Sequence, residues 1–237
     1  MKRSFFMMKK TVLAIMFLLP FAGYAQKIQT EIGVYGGGSV FHYLSSQLVY
    51  DKQFASIKTE AKAGAGWTGG ADLAWIFLTA EETKDRFFLN SASVFFSPSW
   101  IGRSYKISQN GKDYDFFMSF LGLEAGARAK FLKIFTAGIG GFIHLPISSP
   151  KILDKTVSKE HFKSEIGILL EAGAAIPLFD EFELFGGLNF KLSLTKFYEN
   201  KTLSSMNLLD NINDTGPQSM MSEILWLKAG IKMKVDF

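Results

Sequence analysis

Three histidines, His42, His144 and His161, are the side chains of this sequence best suited to moving a proton or ligating a metal. Ser45 and Ser46 stand near His42, and Ser148 and Ser149 near His144. A hydrolase with a serine nucleophile and a histidine base is therefore the chemistry to weigh. Neither spacing is a His-x-Ser pair and serine is common in loops, so an enzyme is disfavoured and a histidine metal site more so. Glu165 and Glu171 could act as paired carboxylates, but six residues of strand separate them by about 20 Å, against the roughly 5 to 9.5 Å that a glycosidase pair needs. They read instead as partners for Lys and Arg. Gly64-Ala65-Gly66-Trp67-Thr68-Gly69 matches G-x-G-x-x-G, yet that motif needs a helix N-terminus to hold pyrophosphate. Residues 71–77 continue a two-residue alternation, so the glycines belong to the inner face of a narrow barrel. The chain has no Cys, which removes disulfides and thiolate metal sites together. No cofactor is expected.

The elements that must carry these residues read as strands throughout. Residues 221–237 set Leu225, Leu227, Ala229, Ile231, Met233, Val235 and Phe237 on one parity and Lys228, Gly230, Lys232, Lys234 and Asp236 on the other. A period of two marks a strand rather than a helix. Similar segments are predicted at 27–41, 60–78, 87–100, 114–130, 134–145, 162–176 and 182–196. In the second, Trp67 and Trp75 lie roughly 26 Å apart along the strand, which fits aromatic girdles at the two edges of a lipid-facing band of about 25 Å. Asn110-Gly111 is a tight-turn signal within the third loop. Loops are expected to be long after strands one, three, five and seven and short after two, four and six. The fold class that follows is an all-β, transmembrane, up-and-down antiparallel β-barrel of eight strands. Leu48, Val49, Tyr50, Phe54 and Ile57 leave an extra hairpin, and hence ten strands, as the alternative.

The start of the chain explains how such a barrel would reach a membrane. Lys2, Arg3, Lys9 and Lys10 precede an apolar run over residues 12–19, then Pro20 and Gly23-Tyr24-Ala25. This is the layout of a secretory signal peptide over residues 1–25, cleaved between Ala25 and Gln26, which leaves residues 26–237 as the barrel. The apolar run is shorter than the roughly 20 residues of a spanning helix, and no Cys follows it to carry a lipid anchor. The whole chain has 26 Lys+Arg and 22 Asp+Glu; loss of the four basic residues of the signal leaves an even balance, with no footprint for nucleic acid. Only helices and closed barrels satisfy all backbone groups in a bilayer, and past the signal the apolar segments alternate.

The terminal Met233, Val235 and Phe237 resemble the assembly signal of bacterial outer-membrane barrels. Together with the signal ending at Ala25, the Gly-rich first strand (Gly33, Gly36, Gly37, Gly38), Leu123-Glu124-Ala125-Gly126 and Glu171-Ala172-Gly173, they make the chain similar to small Gram-negative outer-membrane barrels of the OmpA/OmpX-like type, and in particular to the PorT-like porin family. The resemblance implies both termini in the periplasm. It also implies outer-membrane lipids, periplasmic chaperones, the barrel-assembly machinery and a protein met through the loops as partners. No catalytic residue can be carried over. Three functions follow in order of preference: a non-enzymatic barrel with a structural or loop-mediated binding role, a narrow pore, and a lipid-modifying enzyme with His42 and His144 near its outer ends. Inward parity collects Glu31, Asp72, Glu124, Glu165, Glu171, Glu183 and Asp236 with Lys62, Arg128, Lys130, Lys163, Lys191, Lys228, Lys232 and Lys234. A selective pore would show one dominant sign, so this balance predicts a filled, ion-paired interior. Export is expected to leave Gln26 as the N-terminal residue; intact mass of membrane-extracted protein checks this, and retention of residues 1–25 would contradict it.

Overall fold

The computed structural model describes residues 29–48, 59–79, 88–109, 112–152, 155–156, 162–196, 198–199 and 217–236. Ala25, Gln26, His161 and Phe237 lie outside them, as do the side chains of Lys62 and Asp236. Every regular element described is a strand: β1 (Gln29–Leu48), β2 (Thr59–Thr79), β3 (Leu89–Gln109), β4 (Lys112–Phe131), β5 (Phe135–Pro146), β6 (Lys151–Ile152), β7 (Lys155–Thr156), β8 (Glu165–Pro177), β9 (Phe182–Ser193), β10 (Tyr198–Glu199) and β11 (Pro217–Asp236).

Antiparallel neighbours run β1-β2-β3-β4-β5-β8-β9-β11, and β11 pairs back onto β1 from Gln29↔Asp236 to Leu48↔Pro217. The ring is closed and has the expected eight strands. β10 continues the β9 side of β11 through Tyr198↔Met220, and β6 and β7 form a separate small ladder. Because β1 pairs directly with β2 from Gln29↔Ile76 to Gly38↔Trp67, no further strand enters the ring between them, and the ten-strand alternative is overturned; Val49, Tyr50, Phe54 and Ile57 lie outside the described residues.

Alternation sorts the side chains as the sequence predicts. Ile32, Val34, Trp67, Trp75, Trp100, Ile139, Leu170, Leu188 and Leu227 are exposed on the outer wall, while Glu31, Asp72, Glu124, Glu165, Glu183, Lys191, Lys228 and Lys232 are buried inside. A barrel folded in water would show the reverse; hydrocarbon is the solvent that this distribution suits. Two expectations need correction. β3 does not end near Trp100 but continues to Gln109, which pairs with Lys112, so a long hairpin with only Asn110 and Gly111 between its strands replaces the long third loop. β8 starts at Glu165, where its ladder with β5 begins at His144↔Glu165. The residues just before it escape the alternation: Phe162 is buried and Lys163 exposed, the opposite of their expected directions.

The wall is uneven in height. β1 and β11 have 20 residues each, β2 and β3 21 and β4 20, whereas β5, β8 and β9 have 12, 13 and 12. The taller strands rise past the rim at the end away from the chain termini, and there the wall forks. Beyond Gly38↔Trp67, residues 39–48 stay with β11 and residues 59–66 stay with β3. The Gly66 amide donates to Ser39 Oγ at 2.7 Å across the start of the fork. A β-bulge between Ser39 and Phe41 leaves Val40 and Phe41 both outside, 62 % and 52 % exposed. The extra residue restores the opposite parity, so His42 turns inward.

At the other end, the β4–β5 turn holds Leu132 (φ 48°) and Lys133 (φ 65°) in the left-handed region, at a cost of about 1–2 kcal/mol each. The Lys133 amide donates to Asn90 Oδ1, and the Leu132 amide to the Phe88 carbonyl at 3.1 Å. Inward glycines let the bulky side chains pack. A Cβ on Gly230 would run into the Val34 carbonyl and the body of Tyr35. Gly230→Leu is therefore expected to destabilise the barrel by about 1–3 kcal/mol, read as an earlier urea midpoint for protein refolded in vesicles; an unchanged midpoint would contradict this packing.

Candidate functional site

The interior is a stack of ion-paired layers, each assembled from strands far apart in sequence. Nearest the termini, Glu183 on β9 binds Lys130 of β4 at 2.6 Å and Lys234 of β11 at 2.9 Å, and Lys232 of β11 binds Glu31 of β1 at 2.6 Å. Above this, the Arg128 guanidinium donates to Asp72 Oδ2 at 2.8 Å, and its Nε donates to Glu171. Ser97 donates to Asp72 at 2.5 Å and Asn189 to Glu171 at 3.2 Å. The Arg128 guanidinium carbon lies 4.6 Å over the Phe95 ring, a cation–π contact, while its fork of donors holds two carboxylates at once, which a lysine would not reproduce.

The third layer centres on Glu124, which accepts from Lys191 at 2.5 Å and Lys228 at 2.9 Å. Lys228 in turn lies 4.6 Å over the Tyr35 ring. Between the second and third layers is a cavity of about 50 Å³, whose walls include Tyr35, Asp72, Glu124, Arg128 and Lys228. It has room for about three or four waters.

In the fourth layer Arg103 donates to Glu165 at 2.7 Å and lies 4.7 Å over Phe120. His144 Nδ1 meets the same Glu165 oxygen at 2.9 Å and also touches Arg103 Nη2. Lys191 stands 3.3 Å from His144 Nε2. Nε2 therefore faces a donor, while Nδ1 lies between an acceptor, the Glu165 carboxylate, and a second donor, Arg103. Ser222 donates to the other Glu165 oxygen. Over this layer Tyr105, Phe116 and Phe162 form an aromatic cap, with Tyr105 stacked on Phe116 at 5.1 Å and His42 edge-on to Tyr105 at 5.6 Å.

These contacts decide what the earlier candidates can do. Glu165 and Glu171 each hold an arginine, as expected. His144 is completely buried and hydrogen-bonded to Glu165 instead of facing the outer rim. Ser148 Oγ accepts from the Ser119 amide at 2.7 Å, and Ser222 bonds to the carboxylate and not to the imidazole; the side chains of Ser45 and Ser46 lie outside the described residues. Of the described histidines, His42 lies on Tyr105 and His144 between Phe142 and Glu165. Among the described residues no group of three His, Cys, Asp or Glu could hold a metal ion. Arg103, Tyr105 and Ser222 escape the sequence reading. Ile101, Arg103 and Tyr105 do continue the alternation of β3, and that parity was the signal available for the first two. Met233 and Val235, of the terminal signal, are half-buried on the outer face of β11.

No protein-family model and no curated protein matches the chain. Among solved structures it is similar to Ail, the attachment invasion locus protein of Yersinia pestis, in complex with the heparin analogue sucrose octasulfate, at 10% identity and TM-score 0.41 over 89% of this chain and 100% of that one. A second structure of Ail aligns at 8% identity and TM-score 0.29 over the same shares of the two chains. The translocator domain of the autotransporter NalP from Neisseria meningitidis aligns at 10% identity and TM-score 0.26 over 96% of this chain and 94% of that one. Strand number and ring closure rest on the hydrogen-bond register of this chain itself.

Removing one member of a buried ion pair strands the others, at a cost of about 3–5 kcal/mol, whereas removing a whole group together can be neutral. Glu124→Leu is thus expected to lower the unfolding midpoint strongly, and Glu124→Leu with Lys191→Met and Lys228→Met to recover most of the loss. Urea titrations of the refolded variants measure both, and a single variant as stable as wild type would refute the coupling.

Proposed function

We propose that this protein is an integral outer-membrane β-barrel with a plugged interior, non-enzymatic, that acts as an envelope element and presents its outer loops and tall wall to a partner. The observation that carries the reading is the distribution of charge and apolar surface. The outer wall is a belt of Ile, Leu, Val, Phe and Trp, while every buried carboxylate described inside the ring has a cationic partner. An eight-stranded ring is just wide enough for its side chains to fill. The signal-like start supports export, and a barrel with a lipid-facing belt in an exported chain supports the outer membrane as its site. Under this reading Met233, Val235 and Phe237 serve as the assembly signal, outer-membrane lipids cover the belt, and both termini face the periplasm, where chaperones and the barrel-assembly machinery receive the chain.

A plugged barrel conducts nothing at rest. Planar-bilayer recordings of refolded protein are expected to show no steady steps, and small steps to appear when Arg128, Asp72 and Glu171 are all replaced by alanine. Reproducible openings of the wild type in the nanosiemens range would overturn the plugged reading in favour of a narrow channel for small solutes. Recovery of the protein in a fraction other than the outer membrane would overturn its location.

A further inference from the structure

Three features meet where β1 and β2 separate. The first is the end of the β1–β2 ladder, crossed on its inner side by Ser39 and Gly66 and bordered on β2 by Gly64-Ala65-Gly66, which carry almost no side chain. The second is an apolar lip outside it, formed by Val40, Phe41 and Trp67, each about half exposed or more. The third is a set of buried polar atoms without a well-aligned partner: both ring nitrogens of His42, which lies beside the Gly64 backbone, Trp226 Nε1 and Arg103 Nε. Trp226 and Arg103 are both fully buried. They sit directly behind the clasp, since Trp226 is the register partner of Ser39 on β11 and Arg103 that of Gly66 on β3. A Cβ on Gly66 would press on the indole of Trp226, so this glycine is required where it stands.

The chemistry of these atoms selects a ligand. Indole and guanidinium nitrogens only donate, and a neutral imidazole supplies one more donor. Buried donors left unpaired are costly, and what satisfies them is an oxygen acceptor. The two layers nearest the fork carry Arg103, Lys191 and Lys228 against Glu124 and Glu165, which leaves room for one negative charge. The bulge that turns His42 inward fits a wall shaped around such a group, since bulges re-aim side chains beside functional sites. The lip favours an apolar remainder that stays outside in hydrocarbon, and Trp67, as a girdle residue, sets the level at the bilayer interface, where a head group resides.

We propose that the fork between β1 and β2 is a lateral binding site for an anionic single-chain amphiphile of the free fatty acid class, its carboxylate held by His42, Trp226 and Arg103 and its chain lying on Val40, Phe41 and Trp67. Entry displaces the Ser39–Gly66 hydrogen bond. The inference rests on the outer-membrane reading for its supply of lipid but not for its test.

That test uses the mature protein in nanodiscs with ¹³C-carboxyl oleate as the probe, followed by NMR. A saturable bound carboxyl signal at one per barrel is expected, absent from empty nanodiscs. Trp226→Phe and His42→Phe should each weaken binding about ten- to hundredfold, and His42→Gln, which keeps a hydrogen-bonding group, should recover part of it. Oleyl alcohol should not compete. Heat-shifted migration in gels verifies separately that each variant is a folded barrel, and if Trp226→Phe fails that check the His42 pair decides alone. No saturable signal, competition by the alcohol equal to that of oleate, or folded His42 variants that bind like wild type would each overturn the site. A protein that fractionates with the outer membrane yet fails this assay loses only this inference, whereas binding by a protein found elsewhere would sink only the reading of its location.

Discussion

The seam between β1 and β11 is the constraint from which the rest of the structure follows. An open sheet of this composition would leave a row of amides and carbonyls unpaired at each edge, and hydrocarbon offers them no partner. Pairing the first strand with the last, from Gln29↔Asp236 upward, removes both edges at once. Closure with eight strands then fixes the radius. A ring that narrow leaves little room for water to solvate charge, so each inward carboxylate needs a cation within reach, and the paired side chains meet across the lumen.

The same narrowness dictates where bulk can go. Gly126 faces Gly140 across the β4–β5 ladder and Gly173 faces Gly187 across β8–β9, and these bare positions leave space beside Arg128 and Glu171. Large inward side chains gather higher up, where Trp226, Tyr105, Phe120 and Met118 are buried. Small residues and ion-paired charge therefore occupy the half near the termini, and aromatic packing the half near the fork.

Much of this was legible because a two-residue period reports direction at every position it covers. The outward Ile166, Ile168 and Leu170 and the inward Glu165 and Glu171 are placed by parity alone, as are Lys228 and Lys232 on β11. Parity fails where a residue is inserted or the ladder stops. His42 follows the bulge after Ser39, which shifts the count by one, and no residue type in that stretch announces it. Phe162 and Lys163 precede the first rung of β8, so the count there had nothing to report. Arg103 was hidden for another reason: the polar composition of residues 103–109 resembles a loop, and only the partner strand β4 shows it to be wall. Which cation meets which carboxylate was beyond the sequence, because register between strands distant in the chain decides it.

That pairing also bears on how the barrel can be built. Glu31, Glu124 and Glu183 lie on β1, β4 and β9, and each of them has a lysine partner on β11, namely Lys232, Lys228 and Lys234. Until the final strand docks, these three carboxylates lack those counter-charges and cannot leave water cheaply. The strand that completes the hydrogen-bonded ring is thus also the one that gives Glu31 its lysine and adds a further cation to Glu124 and Glu183, which Lys191 and Lys130 already meet. Closing the wall and completing the charge pairing inside it are in this way one event, and a chain cut short before its last strand keeps Glu31 without the lysine that meets it.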